Sequence, residues 1–249
     1  SLRVTASGGD DTVTVVRAGW PSTIEADLDG GAGDDRVSGA GAMDSAKGGS
    51  GKDVVDGGPG ADDVRGGSGV DVGYYGDRTT PLIITVGVKN DNDGNEVDQT
   101  GTRRDTVRGD VETVLGGSSN DIVIGDGSDE TLFGGEGDDV LFGGRGKDTL
   151  LGFIGADFLS GDNGNDILRG SAGADRLLGG SEDDRLAGGP DNDLLRGGED
   201  VDAMKGKGGI DVIQAKDGFT DRKINCGPGP NGSEVAKRDR RLDPRAKSC

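Results

Sequence analysis

The fold of this 249-residue chain is decided by two consecutive segments, Gly134-Gly-Glu-Gly-Asp-Asp-Val-Leu-Phe142 and Gly143-Gly-Arg-Gly-Lys-Asp-Thr-Leu-Leu151. Both have Gly at positions 1, 2 and 4, Asp at position 6 and Leu at position 8. The nine-residue period runs without a gap through 116–214 as eleven units, and five more units occupy 30–74. A period held this long predicts a solenoid of stacked units.

Position 6 is the most regular polar position of the repeat. It is Asp in 15 of the 16 units and Glu in the other, and each residue is a candidate metal ligand: Asp35, Asp44, Asp53, Asp62, Asp71, Asp121, Glu130, Asp139, Asp148, Asp157, Asp166, Asp175, Asp184, Asp193, Asp202 and Asp211. Position 8 is apolar in every unit except the one with Gly73. Because side chains alternate between the two faces of a strand, position 8 predicts the inward-facing core.

The six-residue part of each unit, G-G-x-G-x-D, is expected to form a turn, and the last three residues a short strand. Glycine tolerates positive φ and lets backbone carbonyls approach a common point. Calcium takes six to eight oxygen ligands and accepts carbonyls and carboxylates alike. The repeat therefore predicts turns that offer calcium both kinds of oxygen. Solvated turn residues are the alternative interpretation, since Asp and Gly favour turns in any case.

The composition limits the kinds of protein this chain could be. It has 52 Gly, 30% hydrophobic residues and a net charge of -19. So acidic a chain either stays disordered or folds around cations. No apolar run is long enough for a transmembrane segment, and an acidic surface makes nucleic acid a poor partner.

The nonapeptide resembles the RTX (repeats-in-toxin) family, whose pattern is GGxGxDxUx, with U a large apolar residue. The resemblance implies an all-β fold, a right-handed parallel β-roll in which two units make one coil. Each calcium ion would lie between a turn and the next turn on the same edge, two units on. That rule gives at most about nine sites in 116–214 and about three in 30–74, or at most about 12 calcium ions in all. It also implies a secreted, extracellular or cell-surface bacterial protein.

Some units depart from the pattern. Glu130 replaces Asp, and Ser119, Glu182, Asp191 and Asp200 stand where position 4 should be Gly. We expect distorted turns and weaker calcium sites at these units.

The segments outside the repeats have different sequence patterns. Residues 1–29 are expected to form an N-terminal β cap, in which 6–14 also fits the nonapeptide with Asp11 at position 6. Residues 75–115 are expected to be a β-rich insertion with a strand at Pro81–Val86. Asp91–Glu96 favours a hairpin turn, because its glycine is misplaced for an EF-hand.

An outward apolar stripe is expected at Ile122, Ile124, Val140, Phe142 and Phe158. Exposed apolar stripes of this kind favour an interaction surface. The hypothesis is that Leu82–Val88 packs over the stripe, with a homodimer contact as the alternative.

Residues 215–249 are expected to be a C-terminal cap. Cys226 and Cys249 are the only cysteines, and an even count in a calcium-type protein favours an extracellular disulfide; two free thiols are the alternative. From Arg222 to Cys249 there are eight basic and three acidic residues. A cleaved N-terminal export signal is the expected route of secretion.

The function predicted from these features is calcium binding by a secreted structural module that folds on meeting extracellular calcium. A calcium-scaffolded adhesion or glycan-recognition module at the cell surface is the alternative. We do not expect an enzyme: the chain has no His and therefore no HExxH zinc helix, and it lacks a GxSxG elbow.

Overall fold

The structure is a computed structural model, and it describes residues 1–16, 24–41, 43–60, 62–87, 103–215, 224–225 and 235–238. These divide into two compact units. The first unit comprises Ser1–Gly117 and Ile122–Asp126, and the second comprises Ser118–Asp121 and Gly127–Cys249. The predicted turn at Asp91–Glu96 and the predicted disulfide between Cys226 and Cys249 lie outside the described residues.

The first unit is built from twelve short strands. They are β1 (Leu2–Thr5), β2 (Thr12–Thr14), β3 (Ala26–Ala32), β4 (Arg36–Ser38), β5 (Ser45–Gly51), β6 (Val54–Asp56), β7 (Asp63–Gly69), β8 (Val72–Tyr74), β9 (Leu82–Val86), β10 (Arg103–Val107), β11 (Thr113–Leu115) and β12 (Ile122–Ile124). One parallel sheet has the order β1-β3-β5-β7-β10-β9-β12, and the other has the order β2-β4-β6-β8-β11.

The second unit continues the same construction with eleven strands. They are β13 (Thr131–Glu136), β14 (Val140–Arg145), β15 (Thr149–Ile154), β16 (Phe158–Asn163), β17 (Ile167–Ala172), β18 (Arg176–Ser181), β19 (Arg185–Gly189), β20 (Leu194–Gly198), β21 (Ala203–Lys207), β22 (Val212–Ala215) and β23 (Val235–Arg238). Odd-numbered strands β13 to β21 form one parallel sheet; β14, β16, β18, β20, β22 and β23 form the other.

Strand pairing in the second unit follows the repeat. From β13 to β22, each paired residue has its partner 18 positions away in the sequence, as Leu141 has Leu159 and Leu150 has Leu168. Two nonapeptides therefore make one coil, and successive units alternate between the two sheets. All described strand pairs are parallel, and no helix occurs among the described residues. The predicted all-β parallel solenoid is confirmed.

The core consists of the position-8 side chains. In the second unit they are at most 2% exposed: Leu132, Leu141, Leu150, Leu159, Leu168, Leu177, Leu186, Leu195, Met204 and Ile213. In the first unit, Val37, Ala46, Val55 and Val64 are fully buried in the same way. The burial pattern thus follows the two-residue alternation that the strands impose.

The unit that lacks an apolar position 8 is completed by a nearby aromatic residue. Tyr75 is fully buried, and a Cβ placed on Gly73 would lie 3.7 Å from its ring. Val111 and Val107 lie 3.5 and 3.8 Å from the same point. The tyrosine ring therefore occupies space that a position-8 side chain fills in other units.

The structure corrects the hypothesis that Leu82–Val88 packs over the outer face of the sheet. Leu82–Val86 is strand β9 itself, paired edge to edge with β10 on one side and β12 on the other. Leu82, Ile84 and Val86 point into the core and are at most 2% exposed. The run is apolar because it supplies core residues. Val88 lies outside the described residues, and the homodimer contact through Phe142 stays a prediction.

Candidate metal-binding turns

The sixth-position carboxylates lie where each turn enters its strand, and all are buried. None of the 16 is more than 3% exposed. A carboxylate removed from water is costly unless it is paired, hydrogen-bonded or bound to a cation. The hydrogen-bond partners and charges around these carboxylates therefore indicate the function of the turns.

One oxygen of most of these carboxylates joins a hydrogen-bonded ladder along the edge of the roll. The backbone N–H of each residue donates to Oδ1 of the residue 18 positions later, at 2.7–3.0 Å in the second unit. One ladder runs through Asp121, Asp139, Asp157, Asp175, Asp193 and Asp211, and the other through Glu130, Asp148, Asp166, Asp184 and Asp202. The expected neighbour relation, two units apart, is confirmed.

The first unit has shorter ladders of the same kind. Asp35 donates to Asp53 and Asp53 to Asp71, while Asp44 donates to Asp62 on the other edge, all at 2.8–2.9 Å. The N–H of Asp11 donates to Asp35 at 2.8 Å. The extra nonapeptide at 6–14 is therefore confirmed as part of the roll.

The other carboxylate oxygen, Oδ2, has a different environment. Among the described residues it is buried without a hydrogen-bond partner in Asp35, Asp53, Asp71, Asp139, Asp148, Asp157, Asp166, Asp175, Asp184, Asp193 and Asp211. Buried polar atoms in proteins nearly always have a partner. The repetition of the same orphaned oxygen at the same position indicates a shared, cationic partner.

Glycine is required at position 1 because the carboxylate lies against it. A Cβ on Gly143 would collide with Oδ2 of Asp148, and it would lie 2.9 Å from the carbonyl oxygen of Gly161 in the next turn. Carboxylate and carbonyl oxygens thus face the same small volume, and a side chain at Gly143 would fill it.

Glycine at position 4 lets successive turns approach closely. Gly164 has φ of 138°, and a Cβ on it would overlap the carbonyl oxygen of Gly146, the equivalent residue of the preceding turn. The turns therefore stack backbone against backbone, which brings their carbonyls together.

Burial changes the protonation of these carboxylates. Loss of hydration, together with neighbouring carboxylate charge, raises the pKa of Asp139 and Asp175 to about 7 and that of Asp184 to about 8. Five other carboxylates have a pKa raised to about 6, mainly by burial and further by the charge of nearby carboxylates. They are Asp71, Asp148, Asp157, Asp166 and Asp193. Without a cation the turns therefore resist full ionisation.

The irregular units keep the ladder, although their backbone departs from that of the regular turns. Glu182 and Asp200 have φ of 80° and 73°, whereas φ at position 4 of the regular turns at Gly137, Gly146, Gly155, Gly164 and Gly173 is 117–145°. The ladder continues past them, with Asp184 donating to Asp202 at 3.0 Å. Glu130 also keeps its place, since its N–H donates to Asp148 at 2.9 Å and its side chain is 3% exposed.

A second ladder was missed by the sequence analysis. Position-5 side chains accept the N–H of the position-5 residue 18 positions later, as Asn120 does from Asp138 at 2.9 Å and Asp138 from Ala156 at 2.8 Å. The same bond joins Asp129 to Lys147 and Asp183 to Val201. Asn and Asp are frequent at position 5, and this frequency is the sequence signal that could have predicted the second ladder. These residues are exposed and hold turns in register.

The turns fit calcium rather than a softer metal. They offer only oxygen: one buried carboxylate for each turn, together with carbonyls from two successive turns. Among the described residues, no three Asp, Glu, His or Cys side chains converge as a metal-binding group. A cation here would therefore draw on backbone carbonyls, which calcium accepts and zinc sites do not use.

Comparison with protein families gives the same result. The model of the RTX calcium-binding nonapeptide repeat matches residues 27–42, 39–72, 108–141, 115–150, 124–159, 151–186 and 178–213. Together these matches span 27–72 and 108–213, which is more than half of the chain. The chain belongs to the RTX calcium-binding repeat family. No curated protein matches this RTX chain. Among its described residues no helix is both long and apolar enough to cross a membrane.

Proposed function

We propose that this RTX chain is a secreted structural module that folds around calcium ions. The observation that carries the proposal is the row of buried Oδ2 atoms without hydrogen-bond partners, in residues such as Asp157 and Asp166. Every cation bound at these atoms would neutralise charge that burial makes unfavourable.

The proposed ligands are the sixth-position carboxylates: Asp35, Asp44, Asp53, Asp62, Asp71, Asp121, Glu130, Asp139, Asp148, Asp157, Asp166, Asp175, Asp184, Asp193, Asp202 and Asp211. Carbonyls of the glycine-rich turns would complete each site. Up to about 12 ions are proposed, one between each pair of turns that are two units apart.

Coupling of binding to folding follows from the small core. Each nonapeptide buries at most one apolar side chain at position 8, and it also buries a carboxylate whose ionised form is unfavourable away from water. Calcium that binds the folded state and not the unfolded chain would therefore add to the stability of the roll. An extracellular setting, where calcium is abundant, suits such a module.

Isothermal titration calorimetry with calcium, and with magnesium as the control, tests the proposal. We expect several calcium ions to bind per chain and magnesium to bind far more weakly, because its small octahedral shell suits carbonyl-rich turns poorly. A wild-type chain that binds no calcium at millimolar concentration would refute the proposed function.

The second candidate function is recognition of an anionic glycan, and the outer faces of the second unit favour it. The outward positions 7 and 9 from Thr131 to Gln214 contain no Asp or Glu. They carry exposed basic side chains instead: Arg169, Arg176, Arg185, Arg196 and Lys205. Within 131–214 the acidic residues therefore lie outside these outward positions, and the charged side chains at positions 7 and 9 are all basic.

Binding to a sulfated polysaccharide such as heparin, at saturating calcium, tests this candidate against neutral dextran. Arg169→Gln with Arg185→Gln should weaken heparin binding. Arg145→Gln with Lys147→Gln, which removes two exposed positive charges that lie outside positions 7 and 9, is the matched control. Equal loss in both double variants would indicate only nonspecific attraction to positive charge.

A further inference from the structure

A shortened turn in the non-repeating segment continues a carboxylate ladder of the first unit. Val107 pairs with Val64, and Thr113 pairs with Val72. Residues 108–112 thus connect the same register positions as residues 65–71, with five residues in place of seven. The N–H of Thr113 donates to the carbonyl of Asp71 at 3.1 Å, as the N–H of Val72 does to Asp53 at 2.8 Å.

Glu112 occupies the place of a sixth-position aspartate in this turn. The N–H of Asp71 donates to Oε2 of Glu112 at 2.7 Å, just as the N–H of Asp53 donates to Oδ1 of Asp71 at 2.9 Å. The glutamate is one methylene longer than aspartate. Its extra length lets its carboxylate reach the ladder from a turn that is two residues shorter.

A backbone carbonyl also arrives at the same place as in a regular turn. A Cβ on Gly66 would collide with the carbonyl oxygen of Asp110 and with Oδ2 of Asp71. A Cβ on Gly30 would have the corresponding neighbours: the carbonyl oxygen of Gly48 at 2.6 Å and Oδ2 of Asp35 at 2.7 Å. The shortened turn therefore presents the same pair of oxygens as a nonapeptide turn.

Two carboxylate oxygens at this turn have no hydrogen-bond partner among the described residues. Asp71 is fully buried, and its Oδ2 is unpartnered. Oδ1 of Asp110 is buried and unpartnered as well. A bound cation would satisfy these unpartnered oxygens, as it would those of the regular turns.

We propose that the turn 109–112 forms an additional calcium site with the turn of Asp71, in which Glu112 supplies a carboxylate that the nonapeptide pattern does not predict. The inference rests on the proposed calcium function and extends it to a turn of different length. It makes Asp71 an interior member of a ladder that runs Asp35, Asp53, Asp71, Glu112. The sequence repeat alone would end that ladder at Asp71.

The test counts calcium ions on the full chain by native mass spectrometry and measures their affinities by calorimetry. Glu112→Gln removes the charge but keeps an oxygen that accepts the N–H of Asp71, so the turn retains its hydrogen bond. We expect this variant to bind one ion fewer, or one ion at least about tenfold more weakly, since ligand charge sets calcium affinity. The matched control is Glu136→Gln, which alters an exposed glutamate at the end of β13 and should bind as wild type does.

The outcomes separate this inference from the proposed function. If wild type binds several ions and Glu112→Gln binds the same number with the same affinities, the site at 109–112 is refuted and the general function stands. If wild type binds no calcium, both are refuted.

Hydrogen exchange on the wild-type chain gives a test that needs no variant. Calcium should protect the amides of 109–113 together with those of 66–72. Protection of 66–72 without protection of 109–113 would overturn the proposal.

Discussion

The second unit is uniform, whereas the first unit reaches a similar stacked architecture with irregular parts. In the repeats of the second unit, from 127 to 214, every turn has the same length and every core position holds its own apolar side chain. The first unit has Tyr75 beside Gly73 and a turn of five residues at 108–112. Both keep parallel strands in register, so the constant feature is the strand pairing and the inward side chain. Turn length and the origin of the core residue can vary.

The largest effect is expected where two turns meet backbone to backbone. Gly164→Ala would place a Cβ on the carbonyl of Gly146 and should destabilise the second unit by more than about 5 kcal/mol, a loss typical of severe core disruption. Urea unfolding at saturating calcium measures it.

Gly9→Ala is the control for this substitution. Gly9 has φ of 99° but nothing within 4 Å of an added Cβ, so only the left-handed conformation is penalised, by about 1–2 kcal/mol. Equal losses in the two variants would show that turn stacking contributes nothing.

The next largest effect concerns the irregular core of the first unit. Tyr75→Ala should cost about 3–5 kcal/mol, as for other large-to-small aromatic substitutions in a core. Gly73→Val in the same chain should recover part of the loss, because the new side chain points into the space that the ring leaves. Thermal unfolding of the single and double variants checks this. A double variant less stable than Tyr75→Ala alone would contradict the interpretation.

A smaller effect should distinguish interior from terminal members of one ladder. Asp157 accepts the N–H of Asp139 and donates its own N–H to Asp175, whereas Asp211 accepts the N–H of Asp193 and is the last member of this ladder among the described residues. Asp157→Asn should therefore weaken about two calcium sites and Asp211→Asn about one. Asparagine keeps the acceptor oxygen, so the ladder persists. Calorimetric stoichiometry measures the difference, and equal losses would argue against sites between turns.

The smallest effect is a pH dependence in the absence of calcium. The pKa of a buried Asp is higher in the folded chain than its ordinary value of 3.8, so the folded state binds more protons and its stability falls as pH rises between about 4 and 8. In chelator, lowering the pH should restore order, beginning near pH 8–7 in the second unit, where the pKa of Asp184 is about 8. The first unit should follow near pH 6, where Asp71 titrates.

Hydrogen exchange at a series of pH values in chelator follows the two units separately. A chain that becomes less ordered from pH 8 to pH 5 would contradict the burial of these carboxylates as the cause.

The sequence predicted most of the fold because the nine-residue period specifies strand, turn and core position together. The neighbour relation between Asp139 and Asp157, and the burial of Leu141 and Leu159, follow directly from that period. The period could not predict the roles of Tyr75 and Glu112, because neither residue stands at a core position or a ligand position of a nonapeptide. Their placement depends on tertiary register, which a linear pattern does not contain. Leu82–Val86 was assigned to the wrong surface for the same reason.

Distorted turns at Glu182 and Asp200 were expected because glycine is the usual residue at positive φ. The structure shows that both residues have positive φ, at 80° and 73°, well below the values of the regular position-4 glycines. A non-glycine residue in this conformation costs of order 1–3 kcal/mol. The expected distortion is therefore confirmed at these two turns, but it does not interrupt the ladder, which continues from Asp184 to Asp202.

The most direct test is circular dichroism of the full chain during a calcium titration at pH 8.5, above the pKa of about 8 of Asp184, from chelator to about 10 mM, with magnesium as control. Since calcium would neutralise the buried carboxylates only in the folded state, we predict a cooperative change from disorder to β-structure with calcium alone. A chain that is already β-structured in chelator, and does not change as calcium is added, would contradict the central claim that these turns fold around the metal.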